Sequence, residues 1–127
     1  MQIRFAFVMH PVDDVSSALS VYLRLLPEAD AWWPDQRTVL LTPPPGSGVP
    51  VMLEEDATER TLGPGAVFLV DDVARSYARH RSEWSFAILP CEIPPGRYAA
   101  CVDRWCNPVR VFDLTNPDFS EGWRFQT

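Results

Sequence analysis

Apolar and polar positions alternate along residues 3–9, with Phe5, Phe7 and Met9 on one side of the run. A two-residue period predicts a β-strand. The period then changes. Val15, Ala18, Leu19, Tyr22 and Leu26 recur at helical spacing, which predicts a helix over 15–26 with one apolar face. Asp13 or Asp14 can cap its exposed N–H groups and suits the positive end of its dipole. Pro27 stops it. Three strand-like runs follow, near 31–33, 37–41 and 50–54. Pro43-Pro44-Pro45-Gly46 forms the turn before the last.

The same order then returns. Residues 65–69 are a second apolar run, and a helix is expected over 73–84, capped by Asp71 or Asp72. Val73, Tyr77 and Trp84 mark its buried side; Arg75, Arg79, His80 and Arg81 mark its wet side. Strands are expected at 86–90, 97–103 and 109–114, with turns at Pro94-Pro95-Gly96 and Cys106-Asn107-Pro108. The string Val-Asp-Asp-Val occurs at both strand-to-helix junctions, Val12–Val15 and Val70–Val73, offset by 58 residues. A repeat at matching places in two halves predicts an α+β fold of two βαβββ modules. Module one spans about 3–56, a linker 57–64, module two 65–115 and a tail 116–127. Trp123 lies in that tail, where it could dock on the body or on a partner chain.

Composition narrows the functional classes. A chain of 127 residues suits one domain. The net charge is −6, and every base is Arg. That disfavours a nucleic-acid partner, whose phosphates need clustered cations. No apolar run reaches membrane-spanning length. The N-terminus lacks a cleavage-type signal, so a cytoplasmic location is expected. Cys91, Cys101 and Cys106 are odd in number and lack metal-type spacing, which reads as free thiols. A cysteine nucleophile would need His10 or His80, and neither lies in a nucleophile motif. His10 reads as a turn or surface residue and His80 as solvated.

The pattern resembles the vicinal-oxygen-chelate superfamily, the glyoxalase/bleomycin-resistance/dioxygenase proteins, over residues 3–115. Three features carry the resemblance. Two are the strand-Val-Asp-Asp-Val-helix junctions, the first with Tyr22 closing its helix. The third is Pro95-Gly96-Arg97-Tyr98 followed by Asp103-Arg104-Trp105-Cys106-Asn107, similar to that superfamily's Gly-Arg strand and Asp-Pro-x-Gly-Asn turn. Arg104 and Cys106 depart from the usual Pro and Gly. The resemblance implies curved mixed sheets around a cleft, helices outside, and a homodimer.

It also implies metal-ligand positions on the first and last strand of each module. Counting from the junctions places them at Phe7, Gly65, Arg110 and about Leu53, with one residue of play that brings Glu54 or Glu55 near. Phe7, Leu53 and Gly65 offer no donor, and Arg110 is cationic. No metal, cofactor or catalytic residue is therefore assigned. The superfamily's metal-free branch sequesters drugs, and the aromatic supply here fits that mode. Phe5, Phe7, Met9, Trp32, Trp33, Leu53, Tyr98, Trp105, Arg110 and Phe112 are the candidate ligand-binding residues. One of Trp32 and Trp33 faces inward and the other outward. Trp84 reads as packing. Arg110 could contact a carbonyl or phenolate, or pair with Asp103 or Glu54.

Three functional readings follow. The first is non-catalytic binding and sequestration of a hydrophobic, aromatic natural product or antibiotic, as in drug resistance or self-resistance. The second is a metal-independent isomerase or cyclase using Glu54, Glu55, Asp103 or Tyr98 as acid or base. The third is a partner-binding domain without a small ligand.

Overall fold

The computed structural model describes residues 3–119. The tail segment 120–127, with Trp123, lies outside the described residues. The chain divides into two compact units. One is Phe7–Pro64; the other gathers 65–119 with residues 3–6.

In the first unit β1 (Ile3–Val12), whose opening residues 3–6 cluster with the second unit, leads into α1 (Val15–Leu25). Then come β2 (Asp30–Asp35), β3 (Thr38–Thr42) and β4 (Val51–Glu55). The strands lie in the order β2-β3-β4-β1, with β1 parallel to β4 and the other neighbours antiparallel. In the second unit β5 (Gly65–Val70) leads into α3 (Val73–His80), then β6 (Ser85–Ile93), β7 (Gly96–Val102) and β8 (Pro108–Phe112). Their order is β5-β8-β7-β6, with β5 parallel to β8 and the others antiparallel. Order and strand sense are the same in both, so the sequence repeat is a repeat of βαβββ structure.

The two Val-Asp-Asp-Val strings do the same physical work. Asp14 and Asp72 are the helix N-caps, accepting from Ser17 N at 3.0 Å and Arg75 N at 2.9 Å. Each following valine is buried at the start of its helix. Its N–H donates to a carboxylate from the end of the module's last strand. Val15 N reaches Glu55 Oε2 at 2.7 Å, and Val73 N reaches Asp113 Oδ2 at 2.7 Å. Each helix start thus meets two carboxylates, which satisfies its free N–H groups and its dipole. Both strapping pairs are 40 residues apart.

Each helix covers one face of its own strands. Val15, Val39, Leu41 and Leu53 form the core under α1, joined by Ala18, Leu19, Tyr22 and Leu26. Val70, Val73, Ala99, Phe86 and Val111 form the smaller core under α3. Tyr77 meets Phe86 edge-on at 5.0 Å.

Five details differ from the sequence reading. The segment expected to be a plain linker contains α2 (Ala57–Leu62), nucleated by its own cap, Asp56 to Glu59 N at 2.9 Å. α3 ends at His80 rather than at residue 84, because Ser82 and Glu83 bring nothing apolar to hold another turn on the sheet. His80 is half-buried rather than solvated, its ring stacked on Trp84 at 5.1 Å. Trp84 itself is exposed. His10 lies within β1 rather than in a turn. It faces α1, where its Nδ1 meets the Tyr22 hydroxyl at 2.7 Å.

The last contact sets a pH response. Burial lowers the His10 pKa from its ordinary 6.5. The fold holds this ring neutral, so the unfolded chain takes up the proton first as pH falls. Its contribution to stability is complete above pH 6.5 and declines below it, down to the folded-state pKa. His10→Gln should flatten that part of a stability–pH curve measured by urea unfolding.

The β7–β8 turn explains the Cys106 departure. Asp103 accepts from Trp105 N, Asn107 N and Asn107 Nδ2 at 2.9, 2.9 and 3.1 Å. These bonds, led by the Asn107 N–H, hold its carboxyl below the usual carboxylate range. Closing the turn forces Cys106 to φ 68°, in the left-handed region that favours glycine. Cys106→Gly should raise stability by about 0.5–1 kcal/mol, read from the urea midpoint.

Candidate functional site

The sheet face turned away from the helix is where this architecture can present side chains to a ligand. Strand pairing assigns residues to it. In the first unit Met9 is paired with Met52, Met52 with Leu40, and Leu40 with Trp32. Phe7 lies two residues before Met9 and shares its face. Phe7, Met9, Leu40 and Met52 are buried and Trp32 is half-buried. In the second unit Val67 is paired with Arg110, Arg110 with Ala100, and Phe112 with both Leu69 and Tyr98. Arg110 and Phe112 are buried and Tyr98 is half-buried.

The 58-residue offset runs through these pairings. Met9–Met52 corresponds to Val67–Arg110, and His10–Leu53 to Phe68–Val111. The module-one counterpart of Arg110 is therefore Met52, one residue before Leu53. The slip matters, because neighbouring residues on a strand point to opposite faces. Leu53 is 0% exposed in the core under α1 and belongs to packing.

The other candidates are placed as follows. Trp32 is the inward-facing member of its pair, and Trp33 is 40% exposed on the opposite side. Phe5 is 45% exposed, edge-on to Phe68 at 6.1 Å. Trp105 is 67% exposed at the tip of its turn, with the Arg104 guanidinium 4.2 Å above its ring. The first unit's face carries Phe7, Met9 and Trp32, and the second unit's carries Tyr98, Arg110 and Phe112. Neither carries Leu53, Trp33 or Trp105. Leu40 and Met52 belong to the first and were missed. Subtracting the repeat offset from Arg110 was the signal that could have found Met52.

Arg110 is the unusual member. Its side chain is 0% exposed. Its directly paired neighbours are Val67 and Ala100. Gly65 makes room for it: a β-carbon there would lie 3.3 Å from Arg110 Nη1 and 3.0 Å from Pro108 O. The guanidinium fills space that a side chain at residue 65 would need.

Two of the acid–base candidates are committed to local structure. Glu55 is engaged at the start of α1, and Asp103 closes its own turn. Burial pushes the Cys101 thiol up to about 11, so it is a packing group and not a nucleophile.

Comparison with known proteins adds the fold. No protein-family model matches the sequence, and no curated protein matches it either. Solved structures do match. A glyoxalase/bleomycin resistance protein/dioxygenase superfamily member from Vibrio splendidus 12B01 is 21% identical, with a TM-score of 0.57, covering 88% of this chain and 99% of that one. The chain has the glyoxalase/bleomycin-resistance/dioxygenase fold. An NAD-dependent benzaldehyde dehydrogenase structure from Legionella pneumophila is 18% identical, with a TM-score of 0.66, covering 85% of this chain and 97% of that one. A 2,3-dioxygenase from Pseudomonas sp. KL28 is 14% identical, with a TM-score of 0.55 over 91% of this chain. The chain spans only 45% of that dioxygenase.

The resemblance implies metal ligands on the first and last strand of each module, and the strand register moves the module-one position from Leu53 to Met52, giving Phe7, Met52, Gly65 and Arg110. A ring, a thioether, a bare backbone and a guanidinium do not fit a divalent ion. Glu54 shares the Met52 face and adds one carboxylate. Among the described residues no three His, Cys, Asp or Glu side chains come together to hold an ion. Among the described residues no helix is long and apolar enough to cross a membrane.

Proposed function

We propose that this chain binds a hydrophobic, aromatic natural product on the faces opposite its helices and releases it unchanged, a sequestration role of the drug-resistance type. One observation carries the reading. The four positions at which this fold would hold a reactive metal carry Phe7, Met52, Gly65 and Arg110 instead. Apolar and aromatic side chains surround them, among them Met9, Trp32, Leu40, Tyr98 and Phe112. Aromatic rings contribute about 0.5–1.5 kcal/mol per stacked pair beyond burial. Burial of the Arg110 guanidinium strengthens any bond it makes to a ligand carbonyl or phenolate, because the local dielectric is low. The species that acts is a homodimer in the cytoplasm, with no cofactor and no nucleic-acid or membrane partner.

Native mass spectrometry of the purified chain, alone and with a panel of planar aromatic antibiotics, tests this. The expected result is a metal-free dimer that gains the intact mass of a compound. Trp32→Ala should weaken that complex about tenfold, the loss of one well-stacked ring with its burial. A bound divalent ion, or conversion of the compound, would sink the proposal.

A further inference from the structure

The second unit has a pocket of about 300 Å³ at the closed end of the β6–β7 hairpin, lined by Glu92, Ile93, Gly96, Arg97, Thr115 and Asn116. It is separate from the ligand face proposed above and does not depend on that reading.

The floor is tightly braced. Asn116 N donates to Pro95 O at 3.0 Å, and Asn116 Nδ2 to Pro94 O at 2.8 Å. Arg97 N donates to Asp113 Oδ1 at 2.8 Å, and Asp113 N returns to Arg97 O at 3.0 Å. Asn116 Oδ1 is taken by Asp118 N at 3.0 Å, and the Thr115 hydroxyl by Asp113 at 2.8 Å. The neutral polar groups of the lining are thus already engaged.

The charged ones are not. Glu92 and Arg97 are directly opposite each other in antiparallel register. Their side chains leave the same side of the sheet, with β-carbons about 5 Å apart. Opposite charges so placed ordinarily close on each other. Among the described residues neither the Glu92 carboxylate nor the Arg97 guanidinium makes an ion pair or hydrogen bond, and both are exposed. A cation and an anion therefore stand unpaired beside a small cavity that Ile93 also lines.

We propose that this pocket binds a small zwitterion of amino-acid size, its carboxylate on Arg97 and its ammonium on Glu92. The guanidinium fork matches a carboxylate in a bidentate way, and Glu92 accepts from an ammonium. The volume is at the small end for ligand sites, which excludes a polycyclic compound. Ile93 gives an aliphatic side chain a contact. Because both charges face solvent, binding weakens with salt.

Isothermal titration calorimetry on the full chain with L-leucine, N-acetyl-L-leucine and L-leucinamide tests the assignment. L-Leucine should give saturable binding. Each singly charged analogue should bind at least about tenfold more weakly, as for loss of one charge-assisted contact. Glu92→Gln and Arg97→Gln should each reproduce one of those losses, and L-leucinamide should bind Arg97→Gln as it binds the parent. The aromatic panel should bind both variants normally, which separates this result from the ligand-face proposal. No saturable binding of L-leucine, or equal binding by parent and variants, would overturn it.

Discussion

Asp113→Ala should unfold at much lower urea than the parent, losing about 4 kcal/mol. The carboxylate is fully buried. It accepts from Val73 N at 2.7 Å, Arg97 N at 2.8 Å, Thr115 Oγ1 at 2.8 Å and Thr115 N at 3.3 Å. Removing it strands buried donors and opens a hole, and each unmet donor costs about 1–3 kcal/mol. Gly96 is committed to the same knot. A β-carbon there would come within 2.7 Å of Asp113 O and 2.8 Å of Thr115 N. The module-one counterpart is milder. Glu55 is half-buried and engages Val15 N at 2.7 Å, so Glu55→Ala should cost about 1 kcal/mol, as for a lost helix cap. Equal losses at the two sites would show that burial and bond number are not what set the difference.

Leu53→Ala should cost about 3 kcal/mol of stability and leave ligand affinity unchanged. The side chain is 0% exposed and packs with Val15, Val39 and Leu41 under α1. Truncation removes buried methyl groups and leaves a cavity that the surrounding core fills only in part. Met52, one residue earlier, is buried on the other face, so Met52→Ala should weaken ligand binding as well as cost stability. Urea unfolding and native mass spectrometry on the two variants give both readouts. A Leu53 variant that keeps its stability but loses ligand would place the strand in the other register.

Periodicity carried most of the architecture, because α1 and the strands bury one face each and so write their period into the chain. The second Val-Asp-Asp-Val string was more telling than any one element, since both copies serve one capping geometry. α2 was missed because its apolar positions are only Ala57 and Leu62, and a six-residue helix has too few turns to show a stripe. His10 was misread because it lies just past the alternating run 3–9, yet β1 continues to Val12. On the site, Arg110 and Phe112 were legible from alternation. Leu53 failed because a count good to one residue cannot choose between faces. Trp33 was included beside Trp32 because alternation lets only one of the two face inward, and Trp105 because its turn adjoins the last strand; neither placement fixes a side chain's direction.

The twin helix straps also bear on how the chain comes together. Each closes a segment of the same length, 40 residues. The entropy lost on loop closure depends on length, so neither half has a topological head start. Chemistry breaks the tie, since Asp113 is buried with four bonds and Glu55 is half-buried with one to Val15. The later loop is then the one to open last. Native-state hydrogen exchange should find the Val73 amide better protected than that of Val15, and the reverse order would assign the sturdier closure to the first half.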